Sequence, residues 1–189
     1  GLRINPKTNI ASTITYSTNL KIRKTNEKLE KQILGLPQNA KIAYTSWSPN
    51  YKKIAFTNTT QKGIELWIID VEYATASKIT EDNLNGNIGS PFSWFKDSEN
   101  LLVRVLPKNK QSLIDHKKDL PKGPTVTVSD GSKSQNRTYQ DLLKNKADEA
   151  DFESLITSEL HKISINGSQK LFKEAAMYAY ESFSPDGKY

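Results

Sequence analysis

The chain has 189 residues, of which 35 % are hydrophobic and 25 % are charged, and its net charge is +6. This length suits one domain or part of a larger one, and the charged content does not indicate a disordered chain. Only four of the 27 basic residues are arginine, the usual reader of phosphates and base edges, which argues against a nucleic-acid partner. No apolar run reaches the roughly 20 residues of a membrane-spanning helix.

Cysteine is absent, which excludes disulfides, thiolate nucleophiles and cysteine-ligated zinc within the chain. The two histidines, His116 and His161, lie in a charged loop pattern and in an alternating strand pattern. Neither has a partner at metal-ligand spacing. The sequence therefore predicts no metal and no cofactor.

The first 43 residues predict short strands at 14–16 and 20–22, where apolar and polar residues alternate. A Leu-Gly-Leu-Pro break at 34–37 separates them from a further strand at 40–44. We interpret 1–43 as a leading unit and a linker.

A repeated unit begins at residue 44 and is predicted to extend to residue 90. Trp47 ends one strand, and the Ser-Pro-Asn turn after it suits a type I turn because Pro49 fixes φ. The strands that follow are predicted at 54–56, at 65–70, which includes Trp67, and at 76–80.

A second unit, predicted at 91–175, opens on Trp94 and continues with a polar turn and a strand at 101–103. Later strands at 159–165 and 169–172 are joined by Asn-Gly, one of the strongest short hairpin signals. The polar segment between these strands, 107–155, is predicted to be an insertion.

The insertion favours two short helices, at 138–145 and 148–155. Four of its residues are candidates for a substrate cleft or a domain interface, because long insertions commonly project from one face of a repeat. The alternative is that they only hold the loop and cap its helices. These residues are Arg137, Tyr139, Asp148 and Glu149.

The end of the chain, 176–189, reads as the start of another unit, with Phe183, Pro185 and Gly187 repeating the aromatic-turn pattern. Trp47 and Trp94 are 47 residues apart, close to the roughly 40–50 of a propeller blade. The predicted fold is an all-β partial propeller of antiparallel four-stranded blades, Tol-B- or WD40-like, with a partly helical insertion. Trp47 and Trp94 should pack between neighbouring sheets, and open sheet edges would favour self-association.

Several stretches together resemble prolyl oligopeptidase-type serine peptidases, and specifically their glutamyl endopeptidase-like branch. Turns of the Ser-Pro-Asn type are shared with all Tol-B-like propellers. The RTYQDLL motif of the insertion, taken together with GIELW, is more specific and decides the branch. The stretches are GLRINPKTN, LPQNAKIAYTSWSPNYKKIAFTNTTQKGIELWIIDV, SPFSWFKDSENLLVRVLP, KGP and NRTYQDLLKNKADEADFE.

This resemblance implies a propeller that covers a C-terminal α/β-hydrolase domain, admits peptides and excludes folded proteins. Such a domain carries a Ser-Asp-His triad with its serine in a Gly-x-Ser-x-Gly elbow. The chain contains no such elbow, since neither Ser90 nor Ser168 fits it. No catalytic residue is therefore assigned, and the implied partners are the hydrolase domain and peptide substrates. The alternative function is a non-enzymatic Tol-B-like propeller that binds proteins.

Overall fold

The computed structural model describes residues 3–114 and 145–189, together with the single residues 123, 128, 131 and 143. These residues form two four-stranded antiparallel sheets, two short two-stranded sheets and a helix. No helix in this part of the chain is long and apolar enough to cross a membrane.

The N-terminal leader contributes the two short sheets. Their strands are β1 (Ile4–Asn5), β2 (Ile10–Ala11), β3 (Lys21–Ile22) and β4 (Lys31–Gln32). The strand predicted at 20–22 matches β3, whereas the strand predicted at 14–16 is wrong. Ile14 and Tyr16 do pack against the core, as their alternation indicates, but no neighbouring strand pairs with them.

The first four-stranded sheet follows chain order and is built mainly on two buried central strands. Phe56, Leu66 and Ile69 are fully buried in those strands. Apolar runs of this kind are typical of strands covered on both faces. The sheet consists of β5 (Ile42–Trp47), β6 (Lys53–Thr59), β7 (Ile64–Asp70) and β8 (Thr75–Lys78).

The second four-stranded sheet has the same order, although a long insertion interrupts it. β10 pairs directly with β11 from Asn100–Ser164 to Val105–Glu159, so the chain leaves and returns at the same end of the sheet. Its strands are β9 (Phe92–Trp94), β10 (Asn100–Val105), β11 (Thr157–Ser164) and β12 (Gln169–Met177).

The helix α1 (Lys146–Ile156) closes the insertion. Asn145 caps it, because its side-chain oxygen accepts a hydrogen bond from the Asp148 N–H at 2.9 Å. Asp148 and Glu149 occupy the first turn, where their negative charges interact favourably with the helix dipole and stabilise the helix. The helix predicted at 148–155 is confirmed, and the one predicted at 138–145 lies almost entirely outside the described residues.

Two hydrophobic clusters hold these layers together. One lies between the four-stranded sheets and joins Leu66 and Ile68 to Leu101, Val103 and Ile163. The other lies on the opposite face of the first sheet, where Phe56 and Ile69 pack with leader residues such as Ile33. The predicted fold class is confirmed: consecutive four-stranded antiparallel blades, not closed into a ring, with a partly helical insertion.

The three turns of the repeat share one geometry. In each, the fourth residue has a positive φ: 60° at Tyr51, 60° at Ser98 and 72° at Gly187. The third residue, Asn50, Asp97 or Asp186, accepts a main-chain N–H two residues later. The turns therefore adopt one conformation despite their different sequences.

The tryptophans of the repeat lie in different surroundings. Trp94 packs against the core between the sheets, and its ring N–H donates to the Ser46 carbonyl at 3.2 Å. Trp67 stacks on Phe56 with ring centroids 6.1 Å apart. Trp47 is 49 % exposed, so the prediction that it is buried between sheets is wrong. An open groove of about 440 Å³ separates β5 from β9 at that point.

Candidate functional site

The connections between strands alternate between the two ends of the sheets, because neighbouring strands run antiparallel. The turns at 48–52, 95–99 and 184–188 lie at one end, called the turn end below. The connection from β8 to β9, the insertion and the segment after β12 lie at the other, called the insertion end. The candidate site is at the insertion end.

Tyr44 lies in β5, the first strand of its sheet, and has an unusual backbone. Its φ is 49°, and the pairing of β5 with β6 shifts register between Ala43 and Ser46. A bulky residue in this left-handed region is strained, and such strain concentrates at functional sites. Burial raises the pKa of the Tyr44 phenol, while the charge of Arg104 partly opposes that rise.

Arg104 is a buried cation in β10, with a side chain only 6 % exposed. Its Nη2 donates to the carbonyl of Ile88 at 2.8 Å and to that of Ser90, and its Nη1 donates to the Tyr178 carbonyl at 3.3 Å. Its Nε lies 3.9 Å from Oε1 of Glu181. Burial lowers the pKa of Arg104, and the charges of Glu181 and Tyr44 act in the opposite direction.

These contacts connect two parts of the chain that are far apart in sequence. Ile88 and Ser90 lead into β9, whereas Tyr178 and Glu181 follow β12. A buried charge is tolerated when it is paired and hydrogen-bonded, and here the three carbonyls supply the hydrogen bonds while Glu181 supplies an opposite charge. Arg104 Nε and Glu181 Oε1 themselves have no hydrogen-bond partner among the described residues. Arg104 thus fixes the start and the exit of the second sheet against each other.

A groove of about 660 Å³ opens next to this cluster. The leader segment around Thr13 and Thr15 forms one wall, and Ile88 with Gly89 forms another. Tyr44 and Tyr180 contribute rings to its lining. The same Tyr44 also lines the groove between β5 and β9, so it lies where the two grooves meet.

A smaller cavity of about 290 Å³ lies where the insertion leaves the second sheet. Lys110 lines it, and its Nζ donates to Oδ1 of Asn9 at 2.5 Å. Burial lowers the pKa of this lysine. Ser154 of α1 donates to the Gln111 carbonyl at 2.9 Å, so the outgoing chain of the insertion packs on its closing helix.

Only two of the four candidate residues in the insertion lie in the described part of the chain. Arg137 and Tyr139 lie outside the described residues. Asp148 and Glu149 lie in the first turn of α1, in keeping with a capping role. Asn85 and Asn87, which the sequence did not single out, donate from their side chains to the Leu155 carbonyl at 3.0 and 2.7 Å and fix the return of the insertion.

His161 lies on β11 between two polar neighbours. Its Nε2 is 2.8 Å from Oε2 of Glu159, and its Nδ1 is 2.8 Å from Nε2 of Gln169. Among the described residues, no serine hydroxyl is hydrogen-bonded to this histidine. Over the same residues, no three His, Asp or Glu side chains gather where they could hold a metal ion.

Sequence reasoning missed Arg104 and Tyr44. A signal for Arg104 was present, because it is the one charged residue in the strand NLLVRV. A charge within an apolar strand is rarely buried unless it is paired. Tyr44 gave no such signal, since its left-handed backbone follows from the bulge and not from its residue type.

The fold and this site together define the chain as a segment of a β-propeller. No protein-family model matches it. Over its whole length it is 33 % identical to a "Probable glutamyl endopeptidase, chloroplastic" of Oryza sativa subsp. japonica, of which it covers 21 %. The protein of the same description from Arabidopsis thaliana is 32 % identical, again over the whole chain and 21 % of the relative. The resemblance to the glutamyl endopeptidase-like branch is therefore confirmed, over about a fifth of the length of these relatives.

The comparison with solved structures gives matches to a TolB protein and to an acylaminoacyl peptidase. TolB from Acinetobacter baumannii gives a TM-score of 0.47 at 19 % identity, over 99 % of this chain and 33 % of that one. The acylaminoacyl peptidase of Pyrococcus horikoshii gives 0.41 at 15 % identity, over 80 % of this chain and 20 % of that one. Both TM-scores are below 0.5, so the fold assignment rests on the strand pairing.

Proposed function

We propose that this chain is part of the propeller of a serine peptidase, where it limits the access of substrates to a separate catalytic domain. The observation that carries the proposal is the full-length similarity to proteins named as glutamyl endopeptidases. The chain covers only about a fifth of them, which leaves room for a hydrolase domain in the same protein.

The residues of this chain suit a gate better than a catalytic centre. The sequence has no Gly-x-Ser-x-Gly elbow for a nucleophile. In a propeller the first strand of each blade lines the axis, and here these strands are β5 and β9, with open grooves beside them. A passage lined by rigid strands admits an unfolded peptide and excludes a folded protein.

The test compares one cleavable sequence in two contexts, using the intact native protein that contains this chain. The first substrate is a short fluorogenic peptide with a glutamate, and the second is the same sequence within a stable folded carrier. We expect hydrolysis of the peptide and no cleavage of the folded carrier, and unfolding the carrier should restore cleavage.

Two outcomes would overturn the proposal. Equal cleavage of folded and unfolded carrier would show that no gate operates. Absence of any hydrolysis, together with no labelling by a serine-directed fluorophosphonate, would favour a non-enzymatic propeller that binds proteins.

A further inference from the structure

We propose that the groove of about 660 Å³ beside Tyr44 holds an extended, uncharged stretch of the substrate polypeptide, paired through its main chain with residues 13–16. The inference rests on the proposed function, because it takes the occupant to be a peptidase substrate. The new content is the position of that polypeptide and the main-chain groups that bind it.

The wall at 13–16 presents an unpaired main chain. Within the described residues, the main-chain groups of Thr13, Thr15 and Tyr16 make no hydrogen bond, whereas the Ser17 N–H donates to Ile42 at 2.9 Å. Burial alternates here, since Ile14 and Tyr16 are half-buried and Thr13 and Thr15 are exposed. Alternating burial beside unpaired main-chain groups is the arrangement of a free strand edge, which an extended peptide can join.

The facing wall also exposes its main chain. Gly89 has a φ of 75°, and apart from Gly89 and its two chain neighbours no atom of the described residues lies within 4 Å of the position that a Cβ would occupy. The Ile88 carbonyl before it is held by Arg104, so this wall is fixed. A peptide in the groove would therefore meet main chain on both sides.

The lining identifies the chemistry of the occupant. Among the described residues, no Lys, Arg, His, Asp or Glu side chain lines the groove, although 25 % of the chain is charged. Arg104 and Glu181 lie nearby, but Arg104 donates to main-chain carbonyls and its charge faces Glu181 at 3.9 Å. This lining disfavours a phosphate or another strongly charged ligand and favours a neutral main chain.

Two tyrosine rings complete the site. Tyr44 is half-buried in the lining, and Tyr180 is 94 % exposed. Tyrosines supply a large contact area for a small loss of side-chain freedom, and their hydroxyls can meet peptide groups.

The experiment measures binding of a fluorescein-labelled, end-blocked dodecapeptide of Ser, Thr and Val to the intact native protein by fluorescence anisotropy. Its matched control is the same peptide with alternate N-methylated amides, which cannot donate along one edge. The protein variants are Thr15→Pro, which removes a main-chain N–H that has no partner within the described residues, and Tyr180→Ser. Tyr73→Ser is the control variant, because Tyr73 is also exposed but lies at the turn end.

We expect the N-methylated peptide to bind at least about tenfold more weakly, a difference of about 1.4 kcal/mol. Thr15→Pro and Tyr180→Ser should weaken the binding of the first peptide by a similar factor, with unchanged thermal unfolding, whereas Tyr73→Ser should not. Equal binding of the two peptides would assign the groove to apolar side chains or small apolar ligands and would overturn the proposal. Unchanged binding in both groove variants, or no binding at all, would overturn it as well.

The outcome also separates this inference from the proposed function. Normal hydrolysis of short peptides by Thr15→Pro and Tyr180→Ser, with unchanged peptide binding, would remove the groove as a site and leave the peptidase assignment intact. Absence of fluorophosphonate labelling in the unmodified protein would remove the peptidase assignment instead.

Discussion

At the scale of single residues, Arg104 connects several segments of the chain at the insertion end. Its carbonyl acceptors belong to Ile88, Ser90 and Tyr178, which are 16, 14 and 74 residues away in sequence. It therefore connects segments that the strand ladders do not join. Because Ile88 and Tyr180 line the same groove, Arg104 also positions two of that groove's walls.

Replacement of Arg104 by methionine should lower the free energy of unfolding by about 3–5 kcal/mol, because it leaves Glu181 and the carbonyls without their partner. Urea unfolding measures this change. Arg23→Met is the matched control, since Arg23 is exposed, and we expect it to be nearly neutral. A loss for Arg104→Met as small as that for Arg23→Met would contradict this role.

Tyr51 is strained in the first repeat turn, where φ is 60° and the side chain is 74 % exposed. Gly187 occupies the same place in the last turn. We expect Tyr51→Gly to raise the free energy of unfolding by up to about 1 kcal/mol, because glycine adopts this conformation without a Cβ clash.

The control for this change is Tyr73→Gly, in another exposed turn where φ is not positive. That substitution should instead destabilise the fold by about 0.5–1 kcal/mol through added chain entropy. Thermal unfolding of both variants tests these two predictions. A loss of stability in Tyr51→Gly equal to that in Tyr73→Gly would contradict the prediction that the backbone is strained at Tyr51.

At the scale of elements, Lys53 and Asp70 close the end of the β6–β7 ladder. They are register partners, and Nζ of Lys53 lies 2.9 Å from Oδ2 of Asp70. That hydrogen bond is the main reason that the pKa of Asp70 is lowered, and N–H groups of Glu72 and Tyr73 add to it.

The lowered pKa makes this contribution dependent on pH. The ordinary pKa of an aspartate is about 3.9, so between that value and the lower folded pKa the unfolded state binds more protons. The stabilisation is therefore complete at about pH 5 and above, well over the unfolded pKa, and is lost as the pH falls through the folded pKa of Asp70.

We expect Asp70→Asn to show a smaller loss of stability than the native protein when the pH is lowered from about 5 to about 2.5. Urea midpoints at the two pH values measure this loss. Lys53→Met should have the same effect, because it removes the donor that lowers the pKa. A pH dependence that is identical in all three proteins would contradict the assignment.

Most elements could be predicted from the sequence because their information is local. The apolar runs of β6 and β7 indicate buried strands. The Asn-Gly pair indicates the tight turn between β11 and β12, and the polar residues at the start of α1 indicate where that helix begins. The strand predicted at 14–16 failed because alternation reports which side is buried and does not report whether another strand is adjacent. The prediction that Trp47 is buried failed for a similar reason, because the burial of Trp47 depends on how far the neighbouring sheet extends.

The candidate site could be predicted much less well. Arg104 binds main-chain carbonyls, and the positions of carbonyls leave no trace in residue types. The left-handed backbone of Tyr44 depends on a bulge that the pattern IAYTSW does not encode. Loops and strand ends carry the site, and tertiary contacts decide their conformation.

At the scale of the whole molecule, the insertion and the groove lie at the same end of both sheets. Asn85 and Asn87 bind the returning chain at Leu155, and Lys110 binds Asn9 of the leader. The leader, the insertion and the segment after β12 therefore meet there. This shared end is where the proposed gate would contact a polypeptide.

The purified 189-residue chain should not hydrolyse peptides or react with a serine-directed fluorophosphonate, because it has no nucleophile elbow. Mass spectrometry after incubation with the reagent checks this expectation. A stoichiometric mass increase on a serine of this chain would contradict it.

The central claim is that the chain is one segment of a larger serine peptidase, and intact-mass measurement of the native protein before and after fluorophosphonate treatment tests it most directly. We predict a mass about five times the 21.3 kDa of this chain, as in relatives of which it covers 21 %, and an increase equal to a single label after treatment. A native mass of 21.3 kDa, or a larger protein that gains no label, would contradict the claim.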